Sequence, residues 1–166
     1  MTRADFVVRR AGAEDLATIA QHRAAMFSDM GILPAAAVPE LIEQTIAYLQ
    51  AALPSGEYLG WLAADAEKPD SIIGGAGVQR RRVLPFPNPE GAGRSVASGR
   101  QGLVLNVYTE PAWRRRGVAR RLMEEVLAWA REECMESLVL HASSDGRALY
   151  EELGFLGTNE MRLTIG

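Results

Sequence analysis

The chain has a single cysteine, Cys134, and a single lysine, Lys68, in 166 residues. One cysteine excludes an intrachain disulfide and fits a reducing compartment. There is no Cys-x-x-Cys pair, no His-Glu-x-x-His and no Asp-rich calcium loop, so no metal is expected. No run comes near the roughly 18 to 20 apolar residues of a membrane span. The opening "MTRADFVVRRAGAEDL" also lacks the apolar core of a signal peptide. These absences lead to the expectation of a soluble cytoplasmic protein with no membrane partner. An excess of basic charge is missing too: 18 Lys and Arg stand against 21 Asp and Glu, a net charge of −3. A protein built to hold nucleic acid usually carries a basic balance, so no nucleic-acid partner is expected.

What is present suits one globular domain over residues 1–166, with 48% apolar and 23% charged residues. "DFVVRR" reads as a short strand. "GAEDLATIAQHRAAMFSDMG" has helical spacing through Leu16, Ile19, Ala20, Met26 and Phe27, with Gly31 as its stop. "AVPELIEQTIAYLQAAL" is a second helix, with Leu41, Ile42, Thr45, Tyr48 and Leu49 on one side and Pro54 closing it. The period then shortens, and "EYLGWLAAD" and "SIIGGAGVQRRRV" read as strands joined by a polar turn. Residues 85–102 form a long, flexible loop rich in Pro, Gly, Ser and Arg. Such a loop is either a connector or a lid over a substrate, where Arg94 or Arg100 would meet an acidic group. Beyond it come the strand "LVLNVYT", the helix "GVARRLMEEVLAWAREE" and the strand "SLVLHA". The short helix "DGRALYEELG", with Asp145 as its cap and Gly154 as its stop, precedes a closing strand "NEMRLTI". The order βααββ-βαβαβ predicts an α/β fold: a central mixed, mostly antiparallel sheet flanked by helices.

The stretch "EPAWRRRGVARRL" sets five arginines around one glycine at a strand-to-helix turn. A helix start offers unpartnered N–H groups and the positive end of the helix dipole, which together suit a diphosphate. Neither GxxxxGK[ST] nor an N-terminal GxGxxG is present, which removes support for ATP and NAD. Instead Arg114, Gly117 and Ala119, spaced Arg-x-x-Gly-x-Ala, resemble the acetyl-CoA motif of the GNAT superfamily of N-acetyltransferases. "TEPAWRRRGVARRLMEEVLAWA" resembles that family's strand–Pro–aromatic–Arg-x-x-Gly–helix unit, and "LYEELGF" its tyrosine helix and Gly-Phe turn. The resemblance is close over residues 103–156 and topological over 1–85.

The resemblance implies acetyl-CoA as co-substrate and direct attack by an amine on its thioester within a ternary complex. Arg114 would open the phosphate loop, and the amides of Arg115, Arg116, Gly117, Val118, Ala119 and Arg120 would hold the pyrophosphate. Val107, Tyr108 and Thr109 would run beside the pantetheine, where family strands splay and free an amide for the thioester carbonyl. Tyr150 would protonate the departing thiolate. Ser143 stands where many members carry an asparagine to the pantetheine. Asn106 occupies a strand on which many carry a glutamate base, and Glu110 lies just beyond it, so the base is unassigned. Helices in the first half often wall the acceptor site in this family, making Arg23, Met26, Phe27, Asp29 and Asn106 acceptor contacts. Trp113 and Trp129 read as packing residues, and Cys134 and His141 as buried structural ones. The acceptor, a small-molecule or peptide amine, and formation of a homodimer are left open by the sequence. The rival from another class is a non-catalytic acyl-CoA-binding sensor that uses the same cradle.

Overall fold

The second and third strands are the most apolar stretches of the first half, and burial on both faces explains why. The computed structural model of the chain describes residues 5–88, 93 and 95–165. The elements are β1 (Phe6–Arg10), α1 (Leu16–Asp29), α2 (Val38–Ala52), β2 (Tyr58–Asp65), β3 (Ile72–Arg82), β4 (Phe86–Pro87) and β5 (Val96–Ala97). They continue with β6 (Arg100–Thr109), α3 (Val118–Glu132), β7 (Ser137–Leu140) and α4 (Arg147–Glu152). Side chains alternate across a strand, so β2 sends Tyr58 and Leu62 to one face and Leu59, Trp61 and Ala63 to the other. The first pair packs with Ile19, Leu49 and Ala52 of α1 and α2. The second set packs with Val118, Leu122, Met123, Val126 and Trp129 of α3. Helices thus cover both faces.

The main sheet runs β1-β2-β3-β6-β7. Its first three junctions are antiparallel, and the last, made through the α3 crossover, is parallel. The expected mixed sheet is therefore present. Two irregularities in β6 shape everything that follows. Its pairing with β7 covers only Gln101–Val104 against Ser137–Leu140, so Leu105–Thr109 run on without β7 beside them. On the other edge, the register passes from Gly77↔Leu105 to Gly75↔Tyr108, which sets Asn106 and Val107 against Ala76 alone. This is a β-bulge, and Asn106 takes the left-handed φ of 57° that a bulge tolerates in asparagine.

Several local expectations need correction. Residues 156–165 carry no strand, so "NEMRLTI" does not close the sheet among the described residues. Met161, Leu163 and Ile165 alternate as a strand would, yet all three are exposed, with neither a ladder partner nor a face to bury against. Asp145 does not cap α4. The Ser143 hydroxyl instead accepts from Gly146 N–H at 3.2 Å. His141 and Cys134 are exposed rather than buried, because β7 ends at Leu140 and α3 ends in a turn where Cys134 has φ 51°. Tyr48 faces outward and donates to Glu57 at 2.7 Å. Within 85–102, β4 and β5 pair as a small hairpin, and β6 starts at Arg100, three residues before the expected Leu103. Arg94 lies outside the described residues.

One buried carboxylate seats the start of α1. Asp15 accepts a forked pair from Arg9 at 2.7 and 2.8 Å and the Gly12 N–H at 2.8 Å. The Arg9 hydrogen bond holds the Asp15 carboxyl below its ordinary range, against the opposing effect of burial. A lowered folded-state value contributes stability that is present above about pH 4 and lost as pH falls through the folded value. Asp15→Asn is expected to cost about 2 kcal/mol at pH 7. The loss should shrink in urea titrations repeated toward pH 3, and a constant difference across that range would refute it.

Candidate active site

The loop between β6 and α3 departs from ordinary backbone geometry at two positions. Arg115 has φ 62° and Gly117 has φ 83°. A side chain added at Gly117 would meet nothing within 4 Å, so glycine is favoured there by conformation rather than by space. Helix α3 begins at once with Val118, and its first backbone bond runs from Arg121 N–H to Gly117 C=O at 3.0 Å. Among the described residues, none of the N–H groups from Arg115 to Arg120 makes a well-formed hydrogen bond to the protein. Consecutive free amides around left-handed residues at a helix start form a concave anion site.

The arginine side chains behave differently from the amides. Arg114 donates to Thr109 C=O at 3.0 Å and pairs with Asp29. Arg116 pairs with Asp5 at 2.9 Å and lies 4.2 Å over the Trp113 ring, while Arg120 pairs with Glu152. Their charges are spent on bracing the loop against α1, the N-terminal segment and α4. Asp29, expected as an acceptor contact, is the Arg114 partner in this brace.

The unpaired end of β6 leads from the loop into the molecule. Thr109 sits opposite Gly74, where an added side chain would come within 2.7 Å of Tyr108 C=O, so β3 and β6 close tightly at this point. Val107 borders the α3-side core together with Tyr150 and Leu140. Tyr150 is half-buried, stacks edge-on with Phe155 at 6.0 Å, and has its phenol pushed up by burial. Gly146 makes room for it, since an added side chain there would lie 2.9 Å from the Tyr150 ring. The Ser143 oxygen is engaged in the α4 turn, which leaves its proton as the available donor. Arg100, the other charge proposed for a lid, donates to Glu133 C=O at the far end of β6 from Thr109.

At the bulge a polar chain crosses the α1 side of the sheet. Arg23 donates to Asn106 Oδ1 at 2.6 Å, and Asn106 Nδ2 donates to the Tyr58 hydroxyl at 3.2 Å. Burial, opposed by the Asn106 bond and the nearby Arg23, pushes Tyr58 up to about 12. Arg23 also stacks 4.7 Å over Phe27, and burial lowers its guanidinium from the usual value. Arg23 and Asn106 are therefore bonded to each other, whereas Met26 and Phe27 are partly exposed beside them.

Two residues assume a place that the sequence did not assign. His22 is buried against the Tyr108 ring at 5.0 Å, and its Nε2 lies 3.5 Å from Glu110 Oε1. Both line an open pocket of about 300 Å³ with Thr18, Gln21, Asp70 and Ile72. Burial holds His22 below the ordinary histidine value, with Glu110 acting in the opposite sense. The available signal was helical spacing: His22 is three residues after buried Ile19 and two before buried Ala24.

The sequence profile described as acetyltransferase (GNAT) family matches residues 24–155. The chain belongs to that family. It is accordingly an enzyme of the acyltransferase class, in a family that uses acetyl-CoA. A GCN5-related N-acetyltransferase from Ralstonia eutropha is 28% identical, with a TM-score of 0.81 over 96% of this chain and 98% of that one. A predicted acetyltransferase from Clostridium acetobutylicum, crystallised with acetyl-CoA, shares the fold at 24% identity. Its TM-score is 0.77, over 96% of both chains. Glucosamine-6-phosphate N-acetyltransferase from Arabidopsis thaliana shares the fold at 11% identity and a TM-score of 0.68, over 96% of this chain and 97% of that one. A sequence search of curated proteins finds no match. No helix among the described residues is long and apolar enough to cross a membrane.

In this GNAT chain the bulge network has a measurable weight. Asn106→Ala removes the partner of a buried guanidinium and of a buried phenol, and forces alanine into a left-handed position. The expected cost is about 3 kcal/mol, read as a lower urea midpoint at unchanged slope. A loss under about 1 kcal/mol would mean that water replaces the asparagine freely.

Proposed function

We propose that the chain transfers an acetyl group from acetyl-CoA to a primary amine by direct attack within a ternary complex. The observation that carries this reading is the run of free amides from Arg115 to Arg120, just beyond the stretch Leu105–Thr109 of β6 that has no β7 beside it. The donor set fits a pyrophosphate in number, polarity and shape. The gap between the two strands then gives the rest of an extended thiol ester a path alongside Val107, Tyr108 and Thr109. Bound acetyl-CoA supplies the acetyl group as an activated ester.

The chain's own groups do the remainder. The amides near Val107 and Thr109 donate toward the ester oxygen, a stabilisation of a few kcal/mol where charge develops. The Tyr150 phenol is kept protonated by burial and delivers its proton to the leaving sulfur. Ser143 donates its hydroxyl proton toward the pantetheine. Met26 and Phe27 of α1 form an apolar, partly exposed wall for the acceptor. No metal enters this scheme.

Calorimetric titration with acetyl-CoA tests the cradle through two substitutions that tolerate the same left-handed backbone. Gly117→Asn should retain binding within about tenfold, while Gly117→Asp should abolish it, because only aspartate adds charge facing the phosphate. Equal losses would point to backbone distortion instead. A screen of small primary amines and peptide N-termini for coenzyme A release then separates enzyme from sensor. Tyr150→Phe is expected to lower kcat about 100-fold with acetyl-CoA affinity unchanged. Tight binding with no release on any amine would favour the sensor.

A further inference from the structure

The Arg23 guanidinium carries a charge that the protein does not neutralise. Arg9, Arg80, Arg114, Arg116 and Arg120 each face a carboxylate. Among the described residues Arg23 faces none, and it donates instead to a neutral amide, Asn106 Oδ1 at 2.6 Å. The one electrostatic influence favouring its charged form, from the Tyr58 phenol, is outweighed by burial. Asp29 at the end of α1 and Glu110 just past β6 are turned to Arg114 and His22. A guanidinium has five N–H donors in a planar fork, so most of this fork is unused by the protein. A cation drawn out of water without a partner is costly, and an anion arriving beside it recovers part of that cost.

The fork stands where a ligand can meet it. Successive residues of a helix point about 100° apart. His22 turns to β3, where a side chain added at Gly75 would lie 3.7 Å from its Nδ1. Arg23 turns to β6, stacked on Phe27 one turn further along α1. The two ends of the Asn106 amide serve different groups. Its Nδ2 donates to the Tyr58 hydroxyl, which overhangs Gly77 of β3, where an added side chain would lie 2.1 Å from that oxygen. Oδ1 and Arg23 form the end away from β3, on the side of β6 that has lost β7 from Leu105 onward. Unlike His22, the residues Arg23, Met26 and Phe27 are all partly exposed, so solvent reaches this end.

We infer that Arg23 binds a carboxylate on the acceptor, and that the acceptor is a free amino acid, a small primary amine carrying its own carboxylate. This rests on the acetyl-transfer reading above. The coenzyme phosphates are not the occupant, because their cradle begins beyond Thr109, itself about 10 Å further along β6 than Asn106. The ester oxygen is assigned to the amides near Val107 and Thr109, so the acceptor nitrogen comes in beside Val107, the neighbour of Asn106. Amine and carboxylate then lie within the length of one short molecule. That suits an amino acid better than a peptide N-terminus, whose first carboxylate is consumed in the peptide bond. A guanidinium fork meets a carboxylate through two parallel N–H bonds, and Phe27 holds this fork flat. In the transfer the nitrogen gains the acetyl group and gives up a proton, the sulfur gains a proton, and the carboxylate is unchanged.

The test sets free L-amino acids with small, apolar, acidic and basic side chains against their own carboxamides, which keep the amine and lose the charge. For the best amino acid, kcat/KM should exceed that of its carboxamide at least about tenfold. Arg23→Gln should bring the two within about threefold of each other by slowing the amino acid alone, and Arg23→Lys should fall between. An arginine that only holds the bulge would slow both members of the pair equally. Calorimetric binding of the N-acetyl amino acid and its carboxamide, with coenzyme A present, should give the same ranking without turnover. If Arg23→Gln folds poorly, that binding pair in the unaltered protein and Arg23→Lys decide the matter. Equal use of the pair, a preference for carboxamides, or a preference that survives Arg23→Gln overturns the carboxylate site alone. So does a protein that acetylates other amines and no amino acid. A chain that binds acetyl-CoA and acetylates no amine of any kind overturns the underlying reading and this one together.

Discussion

The site depends on one strand being asked to do two incompatible things. β6 is hydrogen-bonded to β3 on one side and β7 on the other only as far as Val104. After that it keeps β3, gains an extra residue against it, and loses β7. A regular strand would have stayed paired on both sides, with side chains alternating cleanly and no free edge in the middle of the molecule. The surplus residue at Asn106–Val107 breaks that alternation. It turns Asn106 toward Arg23 and Tyr58 on the α1 face and leaves Val107 against the α3 core. The cost of a left-handed asparagine is offset by the two hydrogen bonds its amide makes. Arg23 and Tyr58 thus support an irregularity on which the proposed chemistry relies.

The α1 helix links both parts of the site. Its start is fixed by Asp15 on Arg9, its middle supplies His22 and Arg23 to the bulge, and its last residue, Asp29, holds Arg114. Through Arg114 the same helix reaches Thr109 C=O and the mouth of the amide cradle. The anion loop and the bulge are therefore positioned by one rigid element, and a shift in α1 would be felt at both.

The second half of the fold was legible because local signals agree there. The apolar spacing of α3, the glycine before it and the strand leading in all point to one geometry, and Gly117 does adopt the left-handed turn. The first half was legible as elements but not as contacts. Arg23 meets Asn106 across 83 positions, and no period or motif encodes such a pairing. The same limit hid the Asp29–Arg114 pair. His22 was obscured because α1 buries residues on much of its circumference, which blurs the polar–apolar contrast that would have singled out a buried histidine. At the C-terminus alternation was real, but a strand also needs a neighbour, and alternation cannot supply one.

The paired arginines alter how the loop looks from a distance. Arg114, Arg116, Arg120 and Arg121 each face a carboxylate, and the whole chain carries a net charge of −3. Beyond a Debye length of roughly 10 Å, such a loop presents almost no field. Its attraction is that of amide dipoles, which act at hydrogen-bond range and require a shape that reaches into a cradle. A long polyanion passing by would release few counterions here and gain little. An anion that can enter is recognised at contact, without having been steered from afar.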